Sequence, residues 1–225
     1  MRRKEMNSFT TLILDCDGVI VDSEPFSCGA WNVVFEREYG IDIGTDYSAI
    51  LGGTTQNAIE HYLTKYNLDK SEDIRLRLAE IKEQVYLEIA KGKLEPISGI
   101  QEIIKQAREL GWKIGVASSG IMKKILFNLR EANILEKFDA ITGSEPHLRG
   151  KPYPDIYLSV AKQLKSIPRD CIVIEDTPSG ITAAKRAGMY VIGITTTFPK
   201  KNLTEADRII ASYKELLLKD YLNLS

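Results

Sequence analysis

Short apolar runs recur along the chain at "TLIL" (11–14), "KIGVA" (113–117), "FDAIT" (138–142), "CIVIE" (171–175) and "YVIGI" (190–194). Most are apolar at consecutive positions, not alternate ones, as strands covered on both faces of a sheet must be. Helical patterns lie between them. Residues 99–110 follow "PISG" and stop before Gly111; residues 121–131, 154–165 and 179–187 come later, the last closed by Gly188. A glycine in that place is a natural helix C-cap. Strand alternating with helix predicts an α/β fold on a doubly wound parallel sheet.

One block breaks the rhythm. Residues 24–92 read as helix throughout. Ile74, Leu78, Ile81, Val85 and Ile89 recur at helical spacing, which packing against neighbouring helices explains. Ser71 with Glu72 and Asp73 marks a helix start, and Gly92 a stop. The expected organisation is an α/β core of residues 1–22 and 93–225, with a helical cap, residues 23–92, inserted after the first strand. An insertion there is a natural lid.

The 225 residues, 44% hydrophobic, suffice for such a core. A formal net charge of -1 gives no global pull towards nucleic acid or membrane. No apolar segment approaches the ~20 residues of a membrane span. The apolar stretch after the basic "MRRKEM" is only strand-length and is interrupted by acidic residues, unlike a signal peptide. Cys16, Cys28 and Cys171 are widely spaced and odd in number, which fits reduced thiols in a cytoplasm better than a disulfide framework or zinc site.

Candidate chemistry follows from where the strands end. In open α/β sheets, ligands sit outside the carboxyl ends of the strands. Asp15 and Asp17 follow the first run, "SSG" (118–120) the second, "RGKPYPD" with Lys151 the third, and Glu175, Asp176 and Thr177 the fourth. Unit charges ~4 Å apart repel by ~4 kcal/mol at an effective dielectric of ~20, so clustered carboxylates need a cation. Hard oxygen ligands favour Mg²⁺. Gly18 allows a tight turn that brings a backbone carbonyl within reach of the metal. Lys151, the Ser118 hydroxyl and the backbone N–H groups near Ser119 and Gly120, at a helix start, suit an anionic phosphoryl group. Taken singly, "SSG" is a loop and helix cap, "GKPYPD" a surface turn and "EDTPSG" a helix start. Their occurrence together, in order and each after a different strand, argues for one site.

These residues resemble the haloacid dehalogenase (HAD) superfamily of phosphohydrolases. More narrowly they resemble its helical-cap branch, which includes phosphoglycolate phosphatases, sugar-phosphate phosphatases and β-phosphoglucomutase. The likeness runs from "LILDCDGVIVDSEP" through "EPISGIQEIIKQARELGWKIGVASSG" and "GKPYPDIYL" to "VIEDTPSGITAAKRAGM". It implies Asp15 as the nucleophile that forms an aspartyl-phosphate, and Asp17 as the acid and then the base. It implies Mg²⁺ held by Asp15, Asp176 and the Asp17 carbonyl, with Glu175 nearby, directly or through water. It further implies Ser118, Ser119 and Lys151 as the residues that hold the phosphoryl oxygens.

The resemblance has departures. The mutase carries a histidine five residues after its equivalent of Asp22, where this chain has Ser27. It also has a phosphate-gripping arginine in a cap loop, where "LGGTTQNA" offers Thr55. A bisphosphorylated intermediate needs two anion sites, so hydrolysis is expected over isomerisation. The cap shows no obvious single lysine poised for a Schiff base, with only Lys65 and Lys70 left open for that role, so a phosphonate hydrolase is disfavoured. The expected function is a Mg²⁺-dependent phosphatase for a small phosphorylated metabolite, plausibly a sugar phosphate, acting as a monomer or small homo-oligomer. Two alternatives are a sugar phosphomutase and a phosphorylatable regulatory domain, the latter disfavoured by Asp17 and the insertion. Asp22 is expected in a hinge or loop cap, His61 as a surface or packing residue, His147 in a loop, and "TTTFPKKN" (195–202) as a surface loop.

Overall fold

The computed structural model describes residues 9–51 and 54–222. The basic run at the N-terminus and Gly52 and Gly53 of "LGGTTQNA" lie outside the described residues. The helices are α1 (Glu24–Tyr39), α2 (Thr55–Lys65), α3 (Glu72–Ala90), α4 (Ile100–Glu109), α5 (Met122–Glu131), α6 (Asp155–Gln163) and α7 (Pro178–Arg186). The strands are β1 (Thr11–Leu14), β2 (Lys113–Ala117), β3 (Ala140–Thr142), β4 (Cys171–Glu175), β5 (Tyr190–Ile194) and β6 (Arg208–Ile210). The chain divides into two compact units, Met1–Asp22 with Glu95–Ser225, and Ser23–Leu94.

In the first unit the six strands form one parallel sheet in the order β3-β2-β1-β4-β5-β6. Successive strand residues point to opposite faces, and both faces are covered. On one, Ile100, Ile103 and Ile104 of α4 and Ile125 and Leu129 of α5 pack with Leu12, Leu14, Ile114 and Val116. On the other, Tyr157 and Val160 of α6 and Ile181 and Ala184 of α7 pack with Ile13, Val173 and Val191. Each valine, leucine or isoleucine among them contributes about 1.5–3 kcal/mol by leaving water. This is why most of the runs are apolar at consecutive positions.

Two strands differ from expectation. β3 starts at Ala140, not at 138, because Asp139 works as a clamp. Its N–H donates to the Ile114 carbonyl (2.8 Å), and its carboxylate accepts from the Ile114 N–H (2.8 Å) and from Arg108 (2.7 Å). β6 was not expected at all. Its three residues are too few for a periodic signal, and pairing of its Ile209 with Gly193 of β5 sets its place.

The chain leaves and re-enters this unit at adjacent points. Val21 pairs with Pro96 in an antiparallel bridge, and the Ile97 N–H donates to the Ile20 carbonyl at 2.8 Å. Asp22 is exposed there.

The second unit contains α1, α2 and α3. An aromatic cluster joins α1 to α2: the Phe35 and Tyr62 rings lie 5.1 Å apart and Trp31 and Tyr62 6.2 Å. His61 packs edge-on against Tyr62 at 5.1 Å. On α3 the fully buried positions are Leu78, Lys82, Val85, Tyr86 and Ala90. Ile74, Ile81 and Ile89 of the expected stripe are only half-buried. Hydrophobic spacing located the helix and two of its buried positions, Leu78 and Val85, but Lys82 and Tyr86 are buried in place of Ile81 and Ile89. Ser71 stands at the N-cap, yet its hydroxyl bonds the Asp69 carboxylate (3.0 Å) instead of capping the helix.

Candidate active site

β1 lies between β2 and β4, with Leu14 level with Val116 on one side and Ile174 on the other. From β1 the sheet order runs outward through β2 and β3 in one direction and through β4, β5 and β6 in the other. This is a switch point, where open α/β sheets form their crevice. The residues just past Leu14, Ala117 and Ile174 must therefore gather. They are Asp15, Ser118 and the pair Glu175 and Asp176.

Lys151 joins two of these carboxylates. Its Nζ lies 2.6 Å from Asp15 Oδ1 and 2.5 Å from Glu175 Oε1, and all three side chains are buried. Glu175 Oε1 also accepts from the Tyr157 hydroxyl (3.1 Å), while Oε2 accepts from the Thr177 N–H (2.7 Å) and Thr177 Oγ1 (2.9 Å). Both oxygens of Glu175 are thus engaged by protein donors. The space for them comes from Gly180, where a Cβ would stand 1.7 Å from Oε1. Alanine in a helix normally gains about 1 kcal/mol over glycine. Here the clash reverses the sign, and Gly180→Ala is expected to lose about 1–3 kcal/mol in urea unfolding.

Asp176 is held differently. It is buried, its Oδ1 has no hydrogen-bond partner among the described residues, and the Thr197 hydroxyl bonds its carboxylate. Gly18, at φ +75°, faces it so closely that a Cβ would lie 2.0 Å from Oδ2. Thr196 Oγ1 donates to the Gly18 carbonyl at 2.5 Å. The "TTTFPKKN" segment is therefore not simply a surface loop. Its first residues pin the turn after β1 and the acid after β4.

Carboxylate oxygens of Asp15, Glu175 and Asp176 lie within 4.8 Å of one another. Burial, then Glu175 and Asp17, push the Asp15 pKa up to about 7 against the pull of Lys151. Burial, then Glu175 and Asp15, raise Asp176 well above the usual carboxylate range. Burial pulls the Lys151 ammonium down, but Asp15 and Glu175 outweigh it, so its pKa stands well above the ordinary lysine value. Burial and the two flanking aspartates keep Cys16 a thiol. Three carboxylates against one ammonium, all-oxygen donors and an orphaned buried oxygen on Asp176 fit a hard divalent cation.

Asp17 stands apart from this cluster. Its Oδ1 takes bonds from Lys124 Nζ (3.1 Å) and Asn128 Nδ2 (3.2 Å), and its Oδ2 lies 3.5 Å from Ser118 Oγ. Ser118 Oγ in turn accepts from the Gly120 N–H at 3.2 Å. The Ser119 side chain is exposed. The structure thus brings together Asp15, Asp17, Ser118, Lys151, Glu175 and Asp176. Sequence reasoning missed Lys124, Asn128, Tyr157, Thr196 and Thr197. The threonines follow the fifth strand at the same sheet edge, so the rule that found the others applied to them too.

The second unit has a buried lysine, and it is neither Lys65 nor Lys70. Lys82 Nζ lies 3.2 Å from Ser27 Oγ and from Glu83 Oε1, between the rings of Trp31 (5.9 Å) and Tyr86 (5.4 Å). Lys70 instead bonds exposed Glu60 and Thr64. His147 is exposed beside Glu145.

Known proteins share this arrangement of elements. The sequence model of the haloacid dehalogenase-like hydrolases matches residues 12–194. The chain is 30% identical to the β-phosphoglucomutase of Bacillus subtilis (strain 168), over 92% of each chain. It is also 30% identical to a phosphorylated carbohydrates phosphatase of Thermotoga maritima, over 79% of this chain and 81% of that one. The crystal structure of a β-phosphoglucomutase from Clostridium difficile superposes with a TM-score of 0.82 at 28% identity, covering 94% of this chain and 95% of that chain. The match begins in β1, ends in β5 and so takes in every strand end that supplies the site; the chain belongs to the haloacid dehalogenase-like hydrolase family.

Proposed function

We propose that the protein is a Mg²⁺-dependent phosphatase acting on a small phosphorylated metabolite, with a sugar phosphate as the expected substrate class. The observation that carries this reading is the buried constellation of Asp15, Lys151 and Asp176 beside a separately anchored Asp17. An Asp15 carboxylate oxygen forms a bond to phosphorus as the ester P–O bond breaks. The electron pair of the broken bond leaves with the ester oxygen, which takes a proton from Asp17. In the second half, water gives a proton to Asp17 as its oxygen attacks phosphorus. The bond from Asp15 to phosphorus then breaks, releasing phosphate and restoring both carboxyl groups. Ser118 and Lys151 hold phosphoryl oxygens, and backbone N–H groups near Ser119 and Gly120 add to them.

Asp15, Asp176 and the Asp17 carbonyl would hold the cation, which screens the repulsion between a carboxylate nucleophile and an anionic phosphate. Glu175 serves to aim Lys151, since its oxygens are already engaged.

The test is phosphate release from a panel of sugar phosphates, phosphoglycolate and nucleotides, with Mg²⁺ and with EDTA. Turnover that EDTA leaves untouched would overturn the metal assignment. No turnover on any member would overturn the phosphatase reading. The kinship with β-phosphoglucomutases favours a second reading, phosphomutase. Conversion of β-glucose 1-phosphate to glucose 6-phosphate without phosphate release would establish it. Ser27, in place of the mutase's histidine, argues for hydrolysis.

Asp176→Asn separates function from stability. It removes a like charge from the cluster, so the metal-free variant is expected to be more stable than wild type by on the order of 1 kcal/mol. Mg²⁺ raises the melting midpoint of wild type by mass action and should leave that of the variant nearly unmoved. Thermal melts with and without Mg²⁺ check both.

A further inference from the structure

The residues that α5 buries are Lys124, Ile125, Asn128 and Leu129. Ile125 and Leu129 belong to the apolar core. Lys124 and Asn128 do not, although they are only 8% and 0% exposed. One turn apart, they share a face of the helix. Both end on the same atom, Asp17 Oδ1, at 3.1 and 3.2 Å. A buried ammonium carries a desolvation cost that packing does not require. Breaches of ordinary core composition of this kind gather at working sites.

Two donors on one oxygen fix the rotation of the whole carboxylate. The other oxygen, Oδ2, then lies 3.5 Å from Ser118 Oγ. Ser118 is itself steadied by the Gly120 N–H. We propose that Lys124 and Asn128 are positioning residues for Asp17. They grip Oδ1 so that Oδ2 is presented on the Ser118 side, where the proton is handed to the departing oxygen. This role presupposes the acid and base work assigned to Asp17. They act through Asp17; their contribution is a preorganised proton donor, which needs no rotation at the moment of reaction.

The leaving group reveals such a role. A sugar alkoxide must be protonated as it departs, with the P–O electron pair going to that oxygen. A p-nitrophenolate departs as the anion and needs no proton. The measurement is kcat/KM, which reports the first phosphoryl transfer, on glucose 6-phosphate and on p-nitrophenyl phosphate. Lys124→Met keeps the length of the stem and removes the charge. It is expected to lower kcat/KM for the sugar phosphate by about tenfold more than for the aryl phosphate, a tenth of the smallest usual worth of an acid catalyst or better. Lys124→Arg should recover most of that difference. Equal losses on both substrates, or no loss on either, would overturn the assignment.

A crystal structure of Lys124→Met decides independently of turnover. Asp17 Oδ2 displaced from Ser118 by more than about 1 Å supports the positioning role, the scale at which misplacement costs rate. An Asp17 carboxylate unmoved in the variant overturns it. Wild type inert towards both esters would sink the phosphatase reading, and the structural comparison would still decide this one.

Discussion

Asp15→Asn is expected to cut Mg²⁺-dependent phosphate release by about 10³-fold or more, the scale on which loss of a covalent nucleophile is felt. The amide has nearly the shape of the acid but no anionic oxygen to attack phosphorus. Stability should move little, or rise, because Asp15 is buried among Glu175, Asp17 and Asp176. The measurement is phosphate release on the best substrate of the panel, with a thermal melt of the same preparation. A folded variant that keeps a tenth of wild-type turnover would mean that phosphorus goes directly to water, and that Asp15 serves only the metal.

Lys151→Met is the second large effect, and it falls on folding as well as on rate. Lys151 is the ammonium placed between Asp15 and Glu175, with side-chain exposures of 6%, 8% and 0% for the three groups. Removing one partner of a buried ion pair costs about 3–5 kcal/mol, because the charges left behind have lost their hydration without compensation. Methionine fills the volume, so a cavity does not account for the loss. Urea unfolding of metal-free protein at neutral pH measures it. Turnover should fall by about 10²-fold or more as a phosphoryl clamp is lost. A stability loss below about 1 kcal/mol would show that Tyr157 and Thr177 alone satisfy Glu175, and that the lysine is not its essential counter-charge.

Much of this was legible in the chain because the sheet rule is strong. Once "TLIL", "KIGVA" and "CIVIE" read as strands buried on both faces, the residues that follow them had to share an edge, and Asp15, Ser118, Glu175 and Asp176 do. What stayed hidden came from the helices and from short pairing. Lys124 and Asn128 are polar residues on a buried helical face, and periodicity alone gives no sign that they meet an aspartate more than a hundred residues earlier. Lys82 hid for the same reason, buried on a helical face one position along from the expected Ile81. β6 is too short to show a period. The saturation of Glu175 depends on Tyr157, which reads in sequence as an ordinary core aromatic.

The bridge between Val21 and Pro96 sets the two ends of the inserted segment side by side on the core. The described strands and the carboxylates at their ends belong to the first unit, and the entropic cost of closing a loop between such neighbouring ends grows only slowly with its length. Inheritance can thus treat the segment as an exchangeable module. It can be lengthened, shortened or recruited afresh while the chemistry at the strand ends is handed on unchanged. A single catalytic frame can in this way acquire new substrates without first relearning how to cleave a phosphate ester.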